Sequence, residues 1–191
     1  LGVVLLVMFQ AQLDAGTTLV CALLVIYGIR LGGYLTYREL RTSSYGKRMK
    51  GEIKDGSDMT LGAKCGIWAG ASILYACEVS PVFFRLSDGY GANVSVIIGA
   101  LVMVVGLVVE STADLQKQRA KRANPRQFVR TGLFGFVRCP NYLGELLFWT
   151  GVFVTGFGAL HGLVQWLVAL VGYLGLIFVM FSGARPLALR Q

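Results

Sequence analysis

The sequence of residues 92–110 is ANVSVIIGALVMVVGLVVE, an apolar run that contains no charged residue before Glu110. A helix needs roughly 20 mostly apolar residues to cross a bilayer. Backbone N–H and C=O groups in lipid must bond to one another, and a helix satisfies them within one segment. The run therefore predicts a transmembrane helix, and it sets the class of the whole chain.

Further segments predict spans for the same reason: residues 17–36, 61–84, 142–160 and 163–182. Residues 1–9 predict the end of another span rather than a signal peptide, because no basic stretch precedes them. Glycines within the segments predict close helix contacts: Gly28, Gly32, Gly33, Gly99, Gly106 and Gly151. We predict an all-α fold, in which residues 1–191 form a single integral membrane domain, a polytopic transmembrane helical bundle of about six spans with the first one partial.

The composition agrees with this prediction. The chain is 55% hydrophobic and 15% charged, with a mean hydropathy of +0.63. Soluble domains average about 45–50% apolar residues and about 25% charged residues. This much apolar surface excludes a disordered chain, and the 25 glycines show no period of three that a collagen-like fibre requires. The four cysteines form no CxxC pair and His161 stands alone, so neither a metal site nor a disulfide framework is predicted.

Basic residues concentrate in alternate connections. They fall in residues 36–58 and 111–139 and in the C-terminal tail, whereas the intervening connections contain only Arg85 and His161. Under the positive-inside rule, the loops at about 37–60 and 111–141 and the C-terminus are predicted to be cytoplasmic. The net charge of +8 is thus attributed to topology, and no nucleic-acid partner is predicted.

Three groups of polar residues are candidates for chemistry. Glu110 and Asp114 share a predicted helix face with Lys117 and Lys121, which fits either a site or an interfacial helix end with intrahelical ion pairs. Insertion of an ionisable residue at membrane depth costs roughly 2.5–3.5 kcal/mol, so such residues usually have a functional or pairing role.

The second group surrounds Pro140, which suits the first turn of a helix. Arg138 precedes that turn, which makes an anion site possible, and Asn141 and Glu145 face one side of the helix with Tyr142 beside them. The simpler interpretation is a helix cap with an interfacial tyrosine.

The third group places Tyr27, Arg30 and Tyr34 on one helix face. Its simpler interpretation is an arginine that extends to the lipid headgroups within an aromatic belt. Lys64 and Glu78, near the two ends of the segment 61–84, are expected to be interfacial.

Residues 132–145, GLFGFVRCPNYLGE, resemble the (S/V)RHPNYxGE signature of the DUF1295 group of steroid 5-alpha-reductase-like membrane reductases. That group is related to the sterol C14 reductases and, more remotely, to the isoprenylcysteine carboxyl methyltransferases. Residues 110–117 resemble the family's E-xxx-D-x-QK stretch, and residues 27–38 resemble its (W/Y)-x-x-R-L-G-x-Y-L-xx-R stretch. The three blocks together span about 27–149.

The resemblance implies an NADPH-dependent reductase that transfers a hydride to the conjugated C=C of a lipophilic, steroid-like enone, which would enter from the surrounding membrane lipids. It implies that Tyr27 polarises the enone carbonyl with Arg30 beside it. The residues implied in cofactor binding are Glu110, Asp114, Lys117, Arg119, Lys121, Arg138, Asn141, Tyr142 and Glu145.

The sequence departs from the family pattern at Cys139, where the signature has histidine. The family's catalytic glutamate on an earlier span and its C-terminal segment are expected to lie outside residues 1–191, so both ends are expected to be truncated. The resemblance favours a bacterial inner membrane.

The alternatives are an S-adenosylmethionine-dependent membrane methyltransferase of the isoprenylcysteine type and a non-enzymatic scaffold or transporter. The substrate and the oligomeric state stay open.

Overall fold

The computed structural model describes residues 1–49, 59–123 and 129–189. Every regular element within these ranges is a helix, which confirms the predicted all-α class. The helices are α1 (Gly2–Met8), α2 (Ala15–Met49), α3 (Leu61–Ser87), α4 (Val94–Ala123), α5 (Leu133–Phe136), α6 (Pro140–Thr155) and α7 (Leu163–Leu189).

Among the described residues, 4 stretches are long and apolar enough to cross a membrane: Ala15–Tyr34, Leu61–Ser87, Val94–Ala120 and Leu163–Ser182. The predicted span 142–160 is wrong in its bounds, because α6 has 16 residues and ends at Thr155. At 1.5 Å per residue this helix is about 24 Å long, short of the roughly 30 Å hydrocarbon core. The count of about six spans therefore stays a prediction.

The two basic segments are partly helical rather than loops, which corrects the predicted loop bounds 37–60 and 111–141. Helix α2 continues to Met49 and α4 continues to Ala123. Lys, Arg, Gln and Glu are good helix formers, so a helix can extend past its apolar segment. The rest of these connections, residues 50–58 and 124–128, lies outside the described part of the chain.

Helices α4 and α6 are antiparallel and touch backbone to backbone through glycines. A Cβ added to Gly106 would lie 2.4 Å from the Phe148 nitrogen and 2.6 Å from the Gly144 oxygen. One added to Gly99 would lie 2.6 Å from the Gly151 oxygen. The prediction of close contact is therefore confirmed for Gly99, Gly106 and Gly151, which act as small interface residues of a membrane bundle.

The same prediction is wrong for the three α2 glycines that it named. A Cβ at Gly28, Gly32 or Gly33 would meet no described atom within 4 Å. All three are exposed on the open side of α2, although Tyr27 and Arg30 of the same helix segment contact the bundle. Glycine content alone does not distinguish a contact from an open surface.

The ends of α3 and α6 are joined by Arg85, which is 1% exposed. Its guanidinium donates to the carbonyl oxygens of Thr155 at 2.8 Å and Phe157 at 2.9 Å, to the Gly91 carbonyl oxygen, and to Asn93 Oδ1 at 3.2 Å. The sequence counted Arg85 as a loop charge, but the residue belongs to the last turn of α3 and is buried.

Helix α7 packs against α3 at two glycines. A Cβ at Gly172 would lie 2.5 Å from the Glu78 nitrogen, and one at Gly175 would lie 2.6 Å from Leu74 Cδ1. This contact fixes the part of α3 that carries Glu78 against α7.

Candidate functional site

Helices α2 and α4 are joined by a charged cluster within the bundle. The Arg30 guanidinium forms ion pairs with Glu110 and with Asp114, and it also donates a hydrogen bond to Asp114. The side chain of Arg30 is 17% exposed, that of Glu110 is 6% exposed and that of Asp114 is 13% exposed, so water screens these charges weakly. The prediction that Glu110 and Asp114 share a helix face is confirmed, because both contact one guanidinium.

Tyr27 lies one helical turn before Arg30 and is 4% exposed. Its ring stacks on Phe148 of α6 with centroids 4.2 Å apart, and it meets Trp149 edge-on at 5.6 Å. The aromatic contacts fix the ring. The hydroxyl group is buried and lies close enough to Glu145, Glu110 and Trp149 to interact with them.

Glu145 of α6 connects this cluster to the rest of the site. It lies one turn into α6 and interacts electrostatically with Glu110, Asp114 and Arg30. The arrangement follows from the α4–α6 glycine contact, because a Cβ on Gly144 would lie 2.6 Å from the backbone nitrogen of Glu110. The glycine contact therefore holds the carboxyl groups of two helices close together.

Glu145 also lines an open cavity of about 600 Å³ between α3 and α7, whose wall residues Ile67 and Phe178 are 58% and 73% exposed. The walls of the cavity are mainly apolar and include Leu74, Leu176, Phe178 and Val179. Its polar side chains are Tyr75, Glu78 and Glu145. A mainly apolar cavity with a few converging polar groups is the usual form of a small-molecule site.

Tyr75 and Glu78 are site residues that the sequence interpretation missed. Glu78 is 5% exposed and neither of its carboxyl oxygens has a hydrogen-bond partner among the described residues. Glu78 is thus buried within the bundle and Lys64 is exposed, and the interfacial depth expected for both stays a prediction. The available signal was the i, i+3 spacing of Tyr75 and Glu78, which places a phenol and an acid on one helix face within an apolar segment.

One of the predicted basic residues, Lys117, interacts with the cluster. Lys117 and Arg119 are exposed on the extension of α4, and Lys117 interacts electrostatically with Asp114. Arg138 is exposed immediately before α6. Lys121 belongs to α4, but its side chain lies outside the part that the structure describes. These groups stay predicted cofactor contacts.

The start of α6 agrees with the sequence in local structure. Pro140 is the first residue of the helix. An N–H group at this position would have no partner within the helix, so its absence in proline costs nothing. Tyr142 interacts electrostatically with Cys139 and Glu145. Asn141 is half-buried but makes none of the hydrogen bonds or ion pairs of the charged cluster, so its predicted role stays a prediction.

Comparison with known proteins shows the family of the chain. The sequence profile described as "Protein of unknown function (DUF1295)" matches residues 1–190. The chain belongs to the DUF1295 family. It is also similar to the protein named steroid 5-alpha-reductase DET2 from Arabidopsis thaliana, with 39% identity over 57 residues, which are 29% of this chain and 22% of that protein. The match thus covers about a fifth of that relative, and no solved structure matches the chain.

The charged cluster and the cavity are therefore treated as one candidate site with two unlike parts. Residues from α2, α4 and α6 form a charged cluster, and residues from α3 and α7 form an apolar cavity. Glu145 belongs to both.

Proposed function

We propose that this DUF1295 protein is an NADPH-dependent membrane reductase that transfers a hydride to the conjugated C=C of a lipophilic enone. The observation that carries the proposal is the position of Glu145. It lines a lipophilic cavity and interacts with a charged cluster in which Asp114 also interacts with Lys117. A lipid-soluble acceptor and a polar dinucleotide need these two environments side by side.

The residues of the charged cluster suit the polar groups of a dinucleotide. One carboxyl oxygen of Glu110 is buried and has no hydrogen-bond partner among the described residues, so it could accept a bond from a ribose hydroxyl or a carboxamide N–H. Lys117, Arg119 and Arg138 would neutralise phosphates, because charged donors bind phosphate oxygens strongly. When bound, NADPH would supply the hydride.

The side chains would then orient the acceptor and stabilise the charge that develops on it. The acceptor would lie in the α3–α7 cavity with its carbonyl end toward Glu145. Tyr27 does not line the cavity, but its hydroxyl lies next to Glu145 and would donate a hydrogen bond to the carbonyl oxygen. One such donor is typically worth about 2.7–4 kcal/mol in the transition state.

Similarity to a protein named as a steroid 5-alpha-reductase also supports a reductase. The proposal places the basic extensions of α2 and α4 in the cytoplasm, where NADPH is available, and a bacterial inner membrane suits this topology. The acceptor would reach the α3–α7 cavity from the bilayer.

A transfer experiment with isotopic label tests the proposal. Purified protein in detergent is given NADPH that carries deuterium at the reactive carbon, together with steroid and linear enones as acceptors. We expect deuterium at the β-carbon of a reduced acceptor, and Tyr27→Phe should lower kcat by about 100-fold while leaving NADPH affinity nearly unchanged. Methyl transfer from S-adenosylmethionine without any deuterium transfer would instead support the methyltransferase.

A further inference from the structure

We propose that Glu78 is a ligand-recognition residue, and that its carboxyl group accepts a hydrogen bond from the hydroxyl group of a lipophilic alcohol bound between α3 and α7. This inference rests on the proposed function, in which the cavity binds the compound that accepts the hydride, and it adds one property of that compound. The hydride-accepting enone would also carry a hydroxyl group.

The first support is the position of Glu78 in the cavity. The α3 residues that line it run from Ile67 through Gly70 and Leu74 to Glu78. Glu78 is therefore the last lining residue of α3, one turn beyond Leu74, and the earlier turns are apolar apart from Tyr75. A ligand that lies along α3 would bring its end to Glu78 with its apolar body against the remaining wall.

The second support is that the protein provides no partner for this acid. Glu78 is 5% exposed, and both carboxyl oxygens lack a hydrogen bond within the described residues. Its titratable neighbours are Glu145 of α6 and Tyr75 of its own helix. Buried polar groups in folded proteins are almost always hydrogen-bonded, so an unpartnered acid at a cavity indicates a group reserved for a ligand.

The chemistry of the site favours a neutral donor over a cationic one. In either protonation state the carboxyl group keeps an oxygen that accepts a hydrogen bond, which an O–H or N–H group of the ligand would supply. An ammonium group must lose its hydration to enter an apolar cavity from the bilayer, whereas a hydroxyl group loses much less. A lipophilic alcohol therefore fits the walls and the acid together.

Chemical labelling of the carboxyl group tests the proposal without NADPH or turnover. Dicyclohexylcarbodiimide enters apolar sites and forms a stable adduct with carboxyl groups there. We expect it to modify Glu78 in purified protein, as measured by peptide mass spectrometry. Cyclododecanol should prevent the modification at about tenfold lower concentration than cyclododecane, which has the same ring without the hydroxyl group.

Two variants test whether Glu78 causes the preference for cyclododecanol over cyclododecane. Because these variants lack the Glu78 carboxyl group, protection is measured from adduct formation at Glu145. Glu78→Leu should remove the preference for the alcohol, and Glu78→Gln should reduce it to below about threefold, since a neutral amide is a weaker acceptor. The unliganded Glu78→Leu protein should melt no lower than the wild type, because Glu78 has no partner to lose.

Several results would overturn the inference: no adduct on Glu78, equal protection by alcohol and hydrocarbon, a preference that persists in Glu78→Leu, or stronger protection by cyclododecylamine. A lower melting temperature of both variants would indicate a structural role and would also contradict it. Because no step uses NADPH, the outcome is independent of the deuterium-transfer experiment.

Discussion

The Arg30 guanidinium on α2 forms an ion pair with the Asp114 carboxylate on α4, although 84 residues separate them in the sequence. The same guanidinium pairs with Glu110, so one arginine holds two acids of one helix face. Arg30 therefore fixes α2 against α4 at the charged cluster.

We predict that Arg30→Gln destabilises the protein by about 2–3 kcal/mol, because it leaves two poorly hydrated carboxylates without a counter-charge. A double-mutant cycle with Asp114→Asn, followed by thermal unfolding in detergent, should give a coupling energy of about 1 kcal/mol or more. Arg119→Gln is the control, since Arg119 is an exposed cation on the same helix. Additive effects of Arg30→Gln and Asp114→Asn would contradict the buried ion pair.

Gly106→Ala should destabilise the protein by about 1–3 kcal/mol, because the added methyl group would lie 2.4 Å from the Phe148 nitrogen and force α4 and α6 apart. Gly28→Ala is the matched control. Its methyl group meets no described atom, so it should be neutral or stabilise the helix by up to about 1 kcal/mol. Equal effects on the melting temperature would show that the α4–α6 contact is looser than described.

Replacement of Arg85 by lysine should cost roughly 3 kcal/mol or more, although the charge is kept. A lysine ammonium is a single point donor and cannot reach the separate acceptors that the guanidinium contacts, which include the Thr155 and Phe157 carbonyl oxygens. Thermal unfolding measures the loss, with Lys64→Arg at an exposed position as the reference. Wild-type stability of Arg85→Lys would mean that these hydrogen bonds do not form.

Asp14 caps the start of α2, and its Oδ1 accepts a hydrogen bond from the Thr17 backbone N–H at 2.8 Å. Burial opposes ionisation of Asp14, but the bonds from the Thr17 and Ala92 backbone outweigh it and hold its pKa below the usual value of 3.8. The stabilisation from the ionised form is therefore complete above that value and is lost as the pH falls through the lower pKa of the folded state.

We therefore predict that wild-type stability decreases below about pH 4 partly through Asp14. Asp14→Ala should lose about 0.5–2 kcal/mol at neutral pH, as expected for an N-cap, and should show a smaller decrease in acid. Unfolding curves across the acid range measure both effects. An unchanged acid dependence in Asp14→Ala would contradict the predicted contribution.

The sequence predicted the apolar helices and the polar face of α4 because both depend on local spacing. The i, i+4 positions of Glu110 and Asp114 require only a regular helix to align them. The end of α6 was missed because residues 156–160 are as apolar as the helix before them, and the chain turns there through Gly158, which has a φ of 77°.

Burial of polar residues could not be predicted from their place along a helix. Glu78 and Arg85 both lie near the end of an apolar segment, where an interfacial position is the ordinary expectation. Glu78 is covered because α7 meets α3 at Gly172, and Arg85 because the ends of α4 and α6 converge on it. Gly172 and Thr155 are far from Glu78 and Arg85 in the sequence.

The central claim is that the charged cluster beside Glu145 binds NADPH, and ligand-dependent stability tests it most directly. Purified wild-type, Glu145→Leu and Glu78→Gln proteins are titrated separately with NADPH and with S-adenosylmethionine, and unfolding is followed in each case. We predict that NADPH stabilises the wild type and Glu78→Gln, that Glu145→Leu loses at least tenfold in NADPH affinity, and that the methyl donor has no effect. Stabilisation by S-adenosylmethionine alone, or full NADPH affinity in Glu145→Leu, would contradict the claim.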